Sequence, residues 1–256
     1  MLICVVAGII VGLLIGALGG GGGVVTVPVL VFGLGIAPHV AASSSLVIVG
    51  VTSAIALVGA ARRGQVRWVT GLVFGAIGAV GTFFGTALAR RVDGSELLVA
   101  FAALLLLIAV IMWRRADGSG VVTRADHPPA LWANEAATIM AAATVVGLLT
   151  GFFGVGGGFA VVPALVLALR MPMTTAVGTS LLVLTLNTTT ALAARAITEH
   201  GLPIDVAVVA PFTAAAVAGS WLGARVARHT SAARLQRAFA VLLVAVAVLT
   251  AVRTLA

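Results

Sequence analysis

The chain has 256 residues, of which 61% are hydrophobic and only 9% charged, and its formal net charge is +8. Its apolar runs exceed the roughly 20 residues that cross a bilayer core, which excludes an ordinary soluble protein. These runs are continuously apolar, so the alternating strands of a membrane β-barrel are excluded too. The composition predicts an all-α integral membrane protein.

The positive charge does not indicate a nucleic-acid partner. All 15 basic residues are arginines, and nearly all lie at the ends of apolar segments. That placement is typical of loop arginines that orient a protein in the lipid bilayer. Cys4 is the only cysteine, which excludes an internal disulfide and a cysteine-rich metal site. We expect no metal and no cofactor.

The apolar segments form two sets of five. Residues 1–113, the first repeat, carry segments at about 2–18, 24–35, 39–61, 67–89 and 96–113. Residues 114–131 are rich in charge, glycine and proline, which predicts a cytoplasmic surface linker. Residues 132–256, the second repeat, carry segments at about 132–150, 159–170, 174–196, 203–226 and 232–254. The two repeats are expected to form one membrane domain.

The first two segments of each set are copies of one pattern. Residues 12–30 read GLLIGALGGGGGVVTVPVL, and residues 147–165 read GLLTGFFGVGGGFAVVPAL, aligned without a gap at an offset of 135. In both copies an apolar helix runs into a glycine cluster. Matched, interrupted hydrophobic segments in two halves of a chain indicate the substrate site of a transporter.

The short segments 24–35 and 159–170 leave two topologies open, because about 12 helical residues span only about 18 Å. If each completes a crossing begun by the preceding helix, the halves run parallel and the arginines divide eight against seven. If each returns as a hairpin, the halves are inverted and eleven arginines share one face. The other face keeps Arg90, Arg91, Arg195 and Arg253. This bias favours inverted repeats, each a glycine-linked hairpin plus three transmembrane helices, with both termini outside.

The glycine clusters are the predicted substrate site. Backbone that turns inside a membrane must be buried in protein or face a cavity, and glycine permits such a turn. We expect the first N–H groups of the short helices, Val24 to Val27 and Phe159 to Val162, to lack intrahelical partners and to attract an anion. Pro28 and Pro163 are expected within the first turn or so. The predicted substrate-binding residues are Gly20, Gly21, Gly22, Gly23, Val24, Gly156, Gly157, Gly158 and Phe159.

The next segment of each repeat opens with hydroxyl side chains, in ASSSL (42–46) and VGTSL (177–181). Ser44, Ser45, Thr179 and Ser180 either donate hydrogen bonds to a bound oxyanion or bond back to their own helix. Asn187, whose repeat partner is Thr52, is expected to contact substrate or a neighbouring helix. His39 is a gating candidate, with a plain interfacial histidine as the alternative.

Other classes of protein fit less well. The chain has no lysine, so it lacks a phosphate-binding loop of the G-x-x-x-x-G-K-[ST] kind. A serine protease would need a nucleophile beside a histidine base, but all four histidines lie near segment ends. We predict no enzyme; a structural membrane protein is the remaining alternative. The sequence does not specify whether transport is coupled to a proton or an ion. The candidates for a proton relay, Glu135, Asp205 and His200, all lie near the membrane interface, which gives such a relay little support. The pattern specifies no oligomeric state.

The duplicated glycine-cluster-then-VPxL signature resembles the sulfite exporter TauE/SafE family of bacterial permeases. The resemblance extends over both halves, through GALGGGGGVVTVPVL and GFFGVGGGFAVVPAL and the ASSSL or VGTSL block that follows each. The first half departs from it in having Ser43-Ser44-Ser45 where a Gly-Thr-Ser block is expected. The resemblance implies a cell-membrane transporter of small sulfur-containing or organic anions, with export the expected direction and import the alternative.

Overall fold

The structure is a computed structural model that describes residues 2–89, 94–117, 132–153, 158–198 and 204–255. Within these ranges the regular structure is entirely helical. The first half contains α1 (Leu2–Leu18), α2 (Gly21–Pro28) with a π-helical turn (Val29–Gly33), α3 (Pro38–Arg62), α4 (Trp68–Ala89) and α5 (Gly94–Asp117). The second half contains α6 (Trp132–Phe153), α7 (Gly158–Leu167), α8 (Met173–Thr198), α9 (Val206–Arg228) and α10 (Ala232–Leu255).

Five helices of the described chain are long and apolar enough to cross a membrane. They lie in α3, α4, α8, α9 and α10, at Val40–Arg62, Trp68–Gly85, Met173–Ala193, Val206–Arg228 and Ala232–Val252. The predicted all-α membrane protein is therefore confirmed. A sixth span was expected at 97–113, where α5 has a shorter apolar stretch, Val99–Arg114.

The outer surface of the bundle is strongly apolar. Val69 and Phe83 on α4 are 76% and 74% exposed, and Trp221 on α9 is 62% exposed. A soluble monomer rarely exposes so much apolar surface, whereas a bilayer solvates it. The buried side chains lie between the helices, with Phe74, Phe212 and Phe239 among the largest of them.

The first short helix begins earlier than expected. α2 starts at Gly21, so the prediction that Val24 to Val27 supply its free N–H groups is wrong. The first N–H groups of this helix belong to the glycines, and that of Gly23 donates to the Gly20 carbonyl over 3.3 Å. Pro28 ends α2 two turns in, where its missing N–H coincides with a widening into the π-helical turn.

Other predicted bounds also differ from the structure, among them the start of α9, which lies at Val206 instead of 203. α7 starts at Gly158, one residue before the expected start, and Pro163 lies in its second turn. α5 continues to Asp117, four residues into the segment assigned to the linker, and the linker residues 118–131 lie outside the described residues.

α1 and α9 pack along their lengths through small residues and run in the same direction. Gly8 contacts Phe212, Gly12 contacts Ala216 and Gly16 contacts Ser220, each through backbone atoms. The partner residue advances along α9 as the glycine advances along α1, which makes the pair parallel. Such small residues let helix backbones approach closely in membranes.

α4 and α6 form a second pair of the same kind. Gly81 lies against Thr144 and Gly147, and Gly85 lies against Leu148 and Phe152. This pair is also parallel, and it unites the fourth helix of the first half with the first helix of the second. The α1–α9 pair is its counterpart: it joins the first helix of the first half to the fourth helix of the second.

α3 and α8, the third helices of the two halves, cross in opposite directions. Gly50 lies against Thr188, and three residues later Ser53 meets Thr185, whose Oγ1 lies 3.2 Å from the Ser53 Oγ. The partner number falls as the α3 number rises, so the pair is antiparallel. Their contact lies near the midpoint of both helices.

Several helix ends meet at one end of the bundle. The backbone N–H of Arg67 donates to the Thr179 Oγ1 over 3.1 Å, which holds the α3–α4 turn against the start of α8. The Gln236 Nε2 donates to the Met112 carbonyl over 2.9 Å, which joins the start of α10 to the end of α5. The arginines flanking these helix ends are Arg62, Arg63, Arg67, Arg114, Arg115, Arg170, Arg225, Arg228, Arg234 and Arg237.

Candidate functional site

Gly20, in the first glycine break, touches Gly158, the first residue of α7, backbone to backbone. A Cβ on Gly20 would collide with the Gly158 carbonyl oxygen and would lie only 2.5 Å from its carbon and 2.8 Å from its Cα. Carbon atoms normally pack at about 3.5–4.0 Å. Only glycine at both positions permits this contact, in which the turn after α1 meets the start of α7.

The first break turns within the bundle and leads back along α1. Gly19 has a φ of +68°, a left-handed conformation, and contacts Val177 in the first third of α8. Gly22 then lies against Ile15 and Val11, so α2 folds back on the helix before it. Gly23 faces Val49, near the middle of α3. The break therefore lies level with the middle of α3.

The four predicted glycines of the first cluster differ in what they contact. Gly21 faces the Phe239 ring, with the nearest ring carbon 2.8 Å from the position of a Cβ, and Gly22 faces Ile15. These two positions serve close packing. Gly20 contacts Gly158, and Gly23 has room for a methyl group, with its nearest neighbour atom at 3.5 Å. Val24, also a predicted site residue, is buried.

Part of the second predicted cluster is not described. Gly156 and Gly157 lie outside the described residues, as do the side chains of Phe159 and His39. Their proposed roles in substrate binding and gating stay predictions. Gly158 is described, and it is the residue through which the second half reaches the first break.

The hydroxyl residues divide between the two alternatives. The Ser45 Oγ donates to the Ala42 carbonyl and the Ser180 Oγ to the Val177 carbonyl, both over 2.8 Å. These two bond back to their own helices. The Thr179 Oγ1 accepts from the Arg67 N–H, so its oxygen is engaged in fixing a turn.

Ser44 and Thr52 carry buried hydroxyl oxygens without a hydrogen-bond partner. Both side chains are fully buried. Leaving a buried polar group unsatisfied costs about 1–3 kcal/mol, so such groups are uncommon and often functional. Ser44 was predicted as a substrate contact, and Thr52 occupies the repeat position of Asn187, which is half-buried on α8. The two free hydroxyls can donate to a bound anion.

A narrow cavity of about 30 Å³ leads from one end of the bundle toward the first break. Its outer part is lined by Arg63, which directly follows α3, and by Arg228, the last residue of α9. Its inner part is lined by Gly16, Ala17 and Val177. Val177 also contacts Gly19, so the inner wall of the cavity adjoins the glycine turn. This volume accommodates about two water molecules.

Arg63 is held at the cavity by its neighbours. Its Nε donates to the Gln65 Oε1 over 3.0 Å. Desolvation by partial burial, and secondarily the positive charge of Arg228, lower the pKa of Arg63 from its ordinary value. An arginine nevertheless stays protonated at neutral pH. Two like charges therefore face the same opening.

One face of α3 connects this opening with the glycine break. Arg63, Ala60 and Ala56 line the cavity at helical spacing, and Thr52 and Val49 continue that spacing inward. Val49 lies against Gly23. The unpartnered Thr52 hydroxyl thus lies between the cavity and the break.

The donors at this site suit an anion. They comprise the Arg63 and Arg228 guanidinium groups at the cavity mouth, the free Thr52 hydroxyl farther along the same face of α3, and the N–H groups at the start of α2. Among the described residues, no group of three or more histidine, cysteine, aspartate or glutamate side chains could hold a metal ion. From the sequence, Arg63 and Arg228 were interpreted only as segment-end arginines that orient the protein in the bilayer, and neither they nor Thr52 were included in the predicted site. The arginine distribution could have indicated the pair, because an inverted arrangement puts Arg63 and Arg228 on the same face of the membrane.

Comparison with known proteins gives a consistent result. The profile of the family described as sulfite exporter TauE/SafE matches residues 4–250. A probable membrane transporter protein of Xylella fastidiosa (strain Temecula1) is 32% identical over 258 residues, covering 97% of this chain and 94% of that protein. The probable membrane transporter protein YunE of Bacillus subtilis is 29% identical over 243 residues, covering 87% and 85%. No solved structure matches the chain significantly.

Proposed function

Because the chain belongs to the sulfite exporter TauE/SafE family of membrane transporters, we propose that it exports a small sulfur-containing or organic anion such as sulfite or a sulfonate. Its relatives are named as transporters rather than enzymes, and they come from prokaryotes. The chain is accordingly a multi-pass protein of a prokaryotic membrane. The substrate, the direction and the mechanism of transport given below are proposals.

The architecture proposed for this activity is an inverted repeat. The antiparallel crossing of α3 and α8 supports it, because equivalent helices of two parallel repeats would run in the same direction. The exchanged pairs α1–α9 and α4–α6 have the symmetry of a two-fold axis between the halves. The convergence of Arg63 and Arg228 on one cavity supports it as well, since the parallel arrangement separates them.

The contact between Gly20 and Gly158 is the observation that carries the proposed site. It brings together two breaks whose following helices begin at Gly21 and Gly158. Helix N-termini attract anions by about 0.3–1 kcal/mol each at an exposed surface, and by more in a desolvated site. The anion is held beside this contact by backbone N–H groups and by the Ser44 and Thr52 hydroxyls, without a buried charged side chain.

Transport proceeds by alternating access around this site. The close packing of α1 on α9 and of α4 on α6 makes these crossed pairs the units that move as bodies. Opening on one side widens the cavity at Arg63 and Arg228, which is narrow in the present conformation. Opening on the other side exposes the same site to the outside.

The test is release of anion from liposomes that contain the purified protein. Vesicles loaded with labelled sulfite or a sulfonate are given an inside-negative potential, which drives each anionic charge outward with about 2.3 kcal/mol per 100 mV. We expect release to accelerate with the potential. Protein-free vesicles and vesicles loaded with a neutral solute of similar size are the controls.

Three results would change the proposal. Release that does not depend on the potential contradicts uncoupled export driven by charge. Uptake against a gradient that requires a proton or cation gradient supports the importer alternative. Absence of flux for every sulfur oxyanion, sulfonate and carboxylate tested favours a structural membrane protein.

A further inference from the structure

Two arginines from different halves of the chain share the mouth of the cavity described above. Arg63 follows the last turn of α3 and Arg228 ends α9, and each is exposed at its surface. Each half therefore contributes one guanidinium to one opening. Neighbouring arginines on the same two helix ends, Arg62 and Arg225, do not line the cavity.

The two charges are not neutralised within the described part of the chain. The charge that affects Arg63 is that of another cation, Arg228, and its hydrogen-bond partner is the neutral Gln65 amide. Like charges that face one opening repel each other, and the repulsion is relieved when an anion lies between them. A guanidinium pair can bind an oxyanion through several N–H donors at once.

The inner end of the cavity leads toward the glycine contact. Ala60 and Ala56 line the cavity behind Arg63, and the unpartnered Thr52 hydroxyl follows on the same helix face. The α3 wall of the cavity carries small side chains, although Leu181 and Leu235 line it elsewhere. The free Thr52 hydroxyl is the first further donor along this face of α3, which is the arrangement of a collecting site at the mouth with a second donor behind it.

We propose that Arg63 and Arg228 form a binding site for small oxyanions at the mouth of this cavity, which delivers the substrate to the glycine contact. The delivery role rests on the proposed function, whereas binding at the mouth stands on its own. A sulfonate or sulfite group has several acceptor oxygens for the N–H donors of both guanidinium groups and of the Gln65 amide. The site attracts anions from solution and releases them inward.

An alternative explanation is that both arginines only compensate the negative C-terminal ends of α3 and α9. In that case Arg62 and Arg225 should serve equally well, because they occupy the last turns of the same helices. These two arginines are therefore matched control positions. Arg225 lies 5.0 Å from the centre of the Trp221 ring, on a surface outside the cavity.

The local potential can be measured with a thiol probe. Thr174 lines the cavity and is exposed, so Thr174→Cys in a Cys4→Ala background introduces a single reactive thiol there. Its rate of modification is compared for a sulfonate-bearing and a quaternary-ammonium methanethiosulfonate reagent, with a free thiol as reference. Charged clefts raise the local concentration of counter-ions by about 10- to 1,000-fold, so we expect a preference of about tenfold or more for the sulfonate reagent.

Substitution of the arginines should abolish that preference. Arg63→Gln together with Arg228→Gln should bring the two normalised rates to within about twofold, while Arg62→Gln together with Arg225→Gln should retain the preference. Ala56→Cys, deeper in the cavity, provides a second probe if Thr174→Cys does not yield folded protein. Protection of the thiol by methanesulfonate should likewise depend on Arg63 and Arg228.

Transport assays complete the test. In liposomes at low salt, Arg63→Gln and Arg228→Gln should each raise the KM for a sulfonate by about tenfold, with less effect at high salt. If the wild-type protein transports anions but the thiol shows no preference for the sulfonate reagent, the collecting site is wrong and the transporter stands. If the preference is present and no anion is transported, the proposed function is wrong and the anion site stands. If Arg62→Gln together with Arg225→Gln reduces the thiol preference as much as Arg63→Gln together with Arg228→Gln, the proposed collecting site is wrong.

Discussion

A methyl group added at Gly20 tests the contact between the two breaks directly. The backbone of Gly20, at φ −58° and ψ −19°, is one that alanine adopts readily, so Gly20→Ala introduces no conformational strain. The added carbon would lie 2.8 Å from the Gly158 Cα and closer still to its carbonyl group. The effect is therefore purely steric.

The size of the effect follows from that distance. Carbon atoms pack at about 3.5–4.0 Å, so the two segments must separate by about 1 Å. Overpacking of this kind costs about 1–3 kcal/mol. Because about 1.4 kcal/mol corresponds to a factor of ten, the closed contact should be populated roughly 5- to 150-fold less. Anion flux should fall by a similar factor while the protein remains in the membrane.

Gly23→Ala is the matched control, three residues along the same chain segment. Its methyl group would lie 3.5 Å from the nearest Val49 carbon, an ordinary contact. Alanine is also a better helix former than glycine by about 0.8–1.0 kcal/mol. Both variants are compared in the liposome assay, with thermal unfolding in detergent as a check on folding. Wild-type flux through Gly20→Ala would refute the assignment of the site to this contact.

Two further substitutions test other parts of the molecule. Gly12→Ala would place a methyl carbon against the Ala216 carbonyl oxygen and 2.6 Å from the Ala216 Cα, and should lower the free energy of unfolding by about 1–3 kcal/mol, measured in detergent. Gly33→Ala, with its nearest neighbour at 3.9 Å, should have little effect, and equal stability of the two variants would contradict the close packing. Thr52→Val removes a hydroxyl without a partner, so stability should be unchanged or higher, while affinity for the anion falls about tenfold. Thr188→Val removes a hydroxyl already bonded to the Leu184 carbonyl, and equal loss of affinity in both variants would argue against a specific role for Thr52.

Much of the fold could be predicted because membrane spans and glycine breaks leave direct signals in the sequence. The predicted starts of α3, α6 and α10 lie within one residue of the structure. Apolar length alone marks such helices in a bilayer. The start of α2 was misplaced by three residues, because Gly21 to Gly23 look like a break but form the first helical turn.

The candidate site was only partly predictable, because its specificity depends on which residues the helices bring together. Gly20 and Gly22 look alike in sequence, yet one contacts Gly158 and the other contacts Ile15. Ser44 and Ser45 are neighbours, but only Ser45 bonds to its own helix. Helix rotation and crossing decide these differences, and a single sequence does not encode them locally.

The exchange of partners between the halves also bears on how the chain is made. When α1 to α5 have been synthesised, the glycine-lined side of α1 has no partner until α9 emerges, and α4 waits in the same way for α6. The first half can enter the bilayer before these contacts form: α4 gains its partner when α6 emerges, but α1 gains its partner only after α9 has been synthesised. Assembly of the protein is thus completed late, when its last two helices arrive.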